Sequence, residues 1–156
     1  MLSRQGCHAL KALLELAGDP AQWRSTHALA AAQRLPQPML EQLLLQLRRA
    51  GLLDARRGRM GGYRLALEPG RITVAAVLAA LGEASGHSAL GGRQSSRPGA
   101  AADPQASAAD TVTGALQRRL ERARQQALED LTLAELLFDL RSAEASAGSE
   151  GGLLLG

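Results

Sequence analysis

Apolar residues recur at i, i+3, i+4 and i+7 over several stretches of the chain, and each such stretch predicts a helix with one buried stripe. Leu10, Leu13, Leu14 and Ala17 make the first, which ends at Gly18-Asp19-Pro20 because proline cannot continue a helix. A second helix, capped by Ser25 or Thr26, runs through Leu35, and its small face of Ala28, Ala31 and Ala32 lets a neighbour approach closely. Leu35-Pro36-Gln37-Pro38 is a turn into a third helix, where Pro38 suits the first turn. Its stripe is Leu40, Leu43, Leu44 and Leu47, while Glu41, Gln42, Gln46, Arg48 and Arg49 stay off it. Gly51 stops this helix, since a left-handed residue suits a side chain without Cβ.

The period then drops to two. Leu53 to Arg57 and Tyr63 to Leu67 flank Gly58, Gly61 and Gly62, and Tyr63, Leu65 and Leu67 alternate onto one face, which predicts a β-hairpin with a tip of glycine and arginine. Helix, turn, helix and basic hairpin together predict a mainly α fold: a winged helix-turn-helix domain with a two-stranded β wing. Thr73 caps a fourth helix on Val74, Val77, Leu78 and Leu81, with Ile72 and Val77 as a hydrophobic staple, and closes the domain at residues 1–82.

Residues 83–109 are Gly, Ser, Ala and Pro without periodicity and predict a flexible loop or linker. Beyond it Leu116, Leu120, Ala123, Ala127 and Leu131 recur at spacings of three and four, the seam of a long helix that packs along another helix. So small a domain has little left to cover that seam, so a second subunit is the expected partner, with folding back on its own winged helix as the alternative. Thr132 and Glu135 form a capping box, and Leu131 with Leu136 a staple, opening a short last helix. Residues 110–141 are therefore predicted as a long C-terminal dimerisation helix and a short final one, and 142–156 as a disordered tail.

Composition narrows the function. Trp23, Tyr63 and Phe138 are the only aromatic residues, so there is no ladder of rings on which single-stranded bases could stack. Double-stranded DNA fits better. Residues 1–65 hold ten Lys/Arg against four Asp/Glu, a balance of +6, while residues 66–156 hold eight against eleven, a balance of −3. The first half therefore faces the polyanion. No apolar stretch approaches the ~20 residues of a membrane span, and the amino terminus lacks the regions of a signal peptide, so a cytoplasmic protein with no membrane partner is expected. A single cysteine, Cys7, excludes an intrachain disulfide and a cysteine cage for zinc. No nucleophile stands at a recognisable spacing from a base and no phosphate-binding loop leads into a helix, so no enzyme is expected.

The chemistry lies on the third helix and the hairpin. In the major groove a glutamine can bond adenine N6 and N7 together and a glutamate can accept from cytosine N4, which makes Gln42 and Glu41 candidate readers. A narrow minor groove offers a strongly negative potential, which suits arginine on a hairpin tip.

Five segments also carry a family resemblance. MLSRQGCHALKALLELA, LEQLLLQLRRAGLL, RRGRMGGYRLAL, ITVAAVLAALGE and LEDLTLAELL occur in the order found in the Rrf2 family of bacterial winged-helix regulators, the IscR/NsrR-like proteins. The resemblance implies that Glu41 and Gln42 read bases, that Arg59 enters the minor groove with Arg56 and Arg57 on phosphates, and that Ser3 and Arg4 touch the DNA backbone. Thr26, Gln37 and Arg49 complete the expected DNA-binding set. Cluster-binding members place three cysteines before the dimerisation helix, whereas residues 84–109 here contain none, so the chain resembles the cluster-free branch and no cofactor or metal site is expected. The implied function is a homodimeric regulator, a repressor rather than an activator, on an inverted-repeat operator, under a small-molecule effector or a protein partner. Two alternatives stand beside it: an adaptor that keeps the regulator fold but docks a protein, and a redox or metal switch centred on Cys7, with His8 and His87. Against the switch, adjacent side chains on a helix point about 100° apart.

Overall fold

The computed structural model describes residues 2–83 and 107–150, so the predicted linker lies outside the described residues apart from its ends. Helix α1 (Arg4–Gly18) starts at Ser3, whose hydroxyl accepts from the Gly6 N–H (2.9 Å). Helix α2 (Thr26–Gln33) is capped by Ser25, which accepts from Ala28 N–H. It stops short of Leu35 because Arg34 turns left-handed (φ 53°) and the Leu35 N–H reaches back to the Ala30 carbonyl (2.9 Å). Helix α3 (Gln37–Arg49) follows, with Pro38 in its first turn and Gly51 left-handed (φ 80°) beyond its end.

Strands β1 (Leu53–Arg56) and β2 (Gly62–Leu65) pair antiparallel, from Leu53 opposite Leu65 to Arg56 opposite Gly62. β2 also pairs on its other edge. Arg24 and Tyr63 exchange both backbone hydrogen bonds (2.9 and 2.8 Å), so the segment between α1 and α2 adds a third, very short strand to the wing. Only glycine fits beside it: a Cβ on Gly62 would lie 2.2 Å from the Arg24 carbonyl oxygen.

Helix α4 (Val74–Ala80), capped by Thr73, completes a core of Leu13, Leu16, Leu29, Leu40, Leu44, Leu47, Ile72, Val77 and Leu78, each fully or almost fully buried. Burying a leucine contributes on the order of 1.5–3 kcal/mol, so this leucine-rich interior needs no aromatic ring. Helix α5 (Ala108–Asp130) opens with a Ser107–Asp110 capping box and buries none of its residues. Serine hydrogen bonds hold the Asp110 carboxyl below its ordinary value. Helix α6 (Leu133–Glu150) sends Leu133 into the core at 0% exposure, and its start is sewn to the start of α4 by Val74 N–H to the Leu131 carbonyl and Leu133 N–H to the Ile72 carbonyl (both 2.9 Å).

The predicted end of order at residue 141 is corrected, because α6 continues to Glu150. The segment from Ser142 is rich in alanine and free of proline, and Ser142 and Ser146 each donate to the carbonyl four residues back (both 2.9 Å). An alanine- and serine-rich composition suits a solvated helix as well as a tail.

Candidate nucleic-acid interface

The amino-terminal half of α3 is exposed on its polar side, because Leu40, Leu43, Leu44 and Leu47 turn the opposite side inward. Gln37, Glu41 and Gln42 all lie on that free surface. A chain of hydrogen bonds orients two of them: His27 Nδ1–H donates to Gln37 Oε1 (3.3 Å), and the Gln37 amide donates to Glu41 Oε1 (3.2 Å). The chain ties the first turn of α2 to the first turn of α3. Gln42 has no side-chain hydrogen bond among the described residues, so its amide offers both a donor and an acceptor outward. Arg49 is exposed in the last turn, roughly 18 Å along the helix from Gln37 at 1.5 Å per residue, where a cation also suits the helix terminus.

On the wing, Arg56, Arg57, Arg59 and Met60 are exposed around the turn closed by Gly61 N–H to the Gly58 carbonyl (3.0 Å). Arg56 is partly engaged, with its guanidinium 6.0 Å from the centre of the Trp23 ring. Arg64, on the same outer face of the hairpin, lies 4.4 Å over that ring and 3.8 Å from Asp54. Arg57 and Arg59 make no ion pair or ring contact among the described residues. An open groove of about 420 Å³ separates the wing tip from the start of α2, lined in part by Trp23, Arg24, Ser25, Arg59 and Met60. Arg24 pairs with Glu15 (3.0 Å), which also accepts from Gln33 (2.8 Å).

The structure thus places Gln37, Glu41 and Gln42 on the head of α3 and Arg57 and Arg59 on the wing, all of them exposed. Thr26 is half-buried at the first position of α2, with the capping role taken by Ser25. Ser3 is exposed but its hydroxyl is used twice, as the cap of α1 and as a donor to Glu83, and Arg4 beside it is exposed. Three participants escaped sequence reasoning: His27, Trp23 and Arg24. His27 carries a legible signal, as a polar residue in the first turn of the helix before the reading helix, but the other two act through pairings distant in sequence. Cys7 is exposed, whereas His8 turns a buried Nδ1 inward without a partner, and among the described residues no three His, Cys, Asp or Glu side chains converge. His87 lies outside the described residues.

This is the architecture of a winged-helix DNA-binding regulator, and the comparisons agree. Residues 2–139 match the profile of Rrf2, described as an iron-dependent transcriptional regulator, and the chain belongs to the Rrf2 family. It is 39% identical over 148 residues to a candidate HTH-type transcriptional regulator of Synechocystis sp., covering 94% of both proteins. Among solved structures it resembles IscR of T. potens (TM-score 0.68, 29% identity, covering 92% of this chain and 90% of that one). It also resembles CymR, the global cysteine regulator of B. subtilis (TM-score 0.68, 28% identity, covering 88% and 95%). Family and relatives are transcription regulators, not enzymes, and DNA binding is the activity they share. No described helix is long and apolar enough to cross a membrane.

Proposed function

We propose that this regulator is a cytoplasmic repressor that binds an inverted-repeat operator as a homodimer and carries no iron–sulfur cluster. The observation that supports it most is the combination of an exposed Gln42 on α3 with exposed Arg57 and Arg59 on the wing, none of which has a side-chain partner among the described residues. Gln42, with Glu41 held by Gln37, reads base edges in the major groove, while Arg59 enters the adjacent minor groove and Arg56 and Arg57 meet phosphates. Arg49, Thr26, Ser3 and Arg4 supply further backbone contacts.

Dimerisation is supported by α5. Leu116 is 53% exposed and Leu120 60%, in line with Ala123, Ala127 and Leu131, all exposed, and a second α5 covers this seam. Two reading helices related by a dyad then enter major grooves about one turn, ~34–36 Å, apart, and the duplex between them is closed to other proteins. A small molecule or a protein partner that favours one spacing of the two reading helices regulates binding.

The donor set does not suit the iron chemistry in the family's description. Iron–sulfur clusters are held by several thiolates, and this sequence has one cysteine, exposed on α1. No step is assigned to such a cluster.

Selection of duplexes from a randomised pool by the full chain tests the proposal. The expected product is an inverted repeat whose affinity falls steeply with salt, as counterion release requires. Enrichment of no sequence, or binding indifferent to salt, would sink it.

A further inference from the structure

We infer that Trp23 is a positioning residue for the wing, setting the angle at which the arginine tip meets the minor groove. The inference rests on the DNA-binding reading above and adds a residue to it.

Trp23 stands immediately before Arg24, whose two backbone hydrogen bonds to Tyr63 fix that segment along the free edge of β2. The close approach at Gly62 leaves no slack in this pairing. In the β1–β2 register Asp54 lies opposite Arg64 and Arg56 opposite Gly62, so Asp54, Arg56 and Arg64 share the outer face of the hairpin. The indole lies against that face. Arg64 is stacked on it at 4.4 Å and held from the side by Asp54 at 3.8 Å, with Arg56 at the ring's margin at 6.0 Å.

A guanidinium over an indole is attracted to the negative face of the ring, and the planar groups resist sliding. A two-stranded hairpin alone is marginally stable and free to swing. Here one ring, anchored to the body through Arg24 and its ion pair with Glu15, grips both strands of the wing. The stack also divides the arginines by task. Arg64 is committed to the ring and to Asp54, which leaves Arg57 and Arg59, at the tip beyond the stack, and Arg56 at the ring's margin, to meet DNA.

The test uses the full chain and a duplex that the unsubstituted protein selects from a randomised pool, remade with A/T-rich and with G/C-rich flanks. Trp23→Ala should keep its far-UV circular dichroism, bind the A/T-flanked duplex roughly fivefold more weakly and the G/C-flanked one almost as before. Base choice within each half-site should not change. Trp23→Phe, which keeps a ring face, should restore the flank preference, and Trp23→Leu, which keeps only bulk, should not. Trp23 is the single tryptophan, so its emission reports the stack, and Arg64→Met should shift that emission in the free protein. Rescue by leucine as complete as by phenylalanine overturns the inference, as does equal weakening on both flanks or unchanged emission in Arg64→Met. If Trp23→Ala does not fold, the Phe and Leu variants with Arg64→Met decide the matter. A protein that enriches no duplex refutes the DNA-binding reading itself, whereas one that enriches a duplex without any flank effect of Trp23 refutes this inference alone.

Discussion

The body built from α1 to α4 and the helix α5 carry the same kind of apolar stripe, yet one is buried and the other lies open. Leu40, Leu43, Leu44 and Leu47 of α3 are 0 to 2% exposed, because α1, α2 and α4 surround them. Leu116 and Leu120 of α5 recur with equal regularity and remain more than half exposed. An amphipathic period therefore states that a face needs covering but not what covers it. In the body the chain supplies the cover itself. Among the described residues, α5 meets the core at its far end, where Leu128 packs partly against it and Leu131 joins α4 through its carbonyl.

The largest effects should separate these two regions. Leu44→Ala removes a fully buried side chain and should cost about 2–5 kcal/mol of unfolding free energy, measured in denaturant. Leu120→Glu should leave the unfolding of the body almost unchanged and convert the proposed dimer to a monomer in sedimentation. An unchanged dimer in that variant would move the interface off α5 and erase the contrast.

The two projections proposed to face DNA should differ in kind as well as size. Gln42→Ala should lose ~1–3 kcal/mol of discrimination at one base pair in each half-site, read by competition among duplexes that differ there. Arg59→Ala should weaken binding through the flanks and reduce the salt slope, with base choice intact. Equal loss on every sequence for Gln42→Ala would deny it a reading role.

The smallest effect concerns the start of α5. Its Asp110 carboxyl, held below the ordinary value of 3.8 by Ser107, stabilises the helix start fully above that value, and the contribution is lost as pH falls through the depressed one. Since Asp110 is exposed, salt screens the effect. Helix fraying below about pH 4 should therefore depend on this group and be absent from Asp110→Asn, as followed by amide exchange at residues 107–111. Identical acid profiles in the two proteins would assign the fraying elsewhere.

Much of this was legible along the chain because its causes are short-ranged. A stripe at helical spacing, a capping serine or threonine three residues before the amide it accepts from, and a glycine that must turn left-handed all act within one or two turns. Ser25, Thr73 and the Thr132–Glu135 pair each form the local bond their spacing allows. Those signals, with the switch from helical to strand period after Gly51, were enough for the winged helix and for the exposed face that carries Glu41 and Gln42. Tertiary structure decided what joins residues far apart: Arg24 to Tyr63, Trp23 to Arg64, and Leu131 and Leu133 to the start of α4. A backbone edge pairs with whichever strand folding brings to it, and a ring stacks on whichever cation then lies above it. Neither contact leaves a period in the sequence, since each depends on the packed body that holds its two halves together.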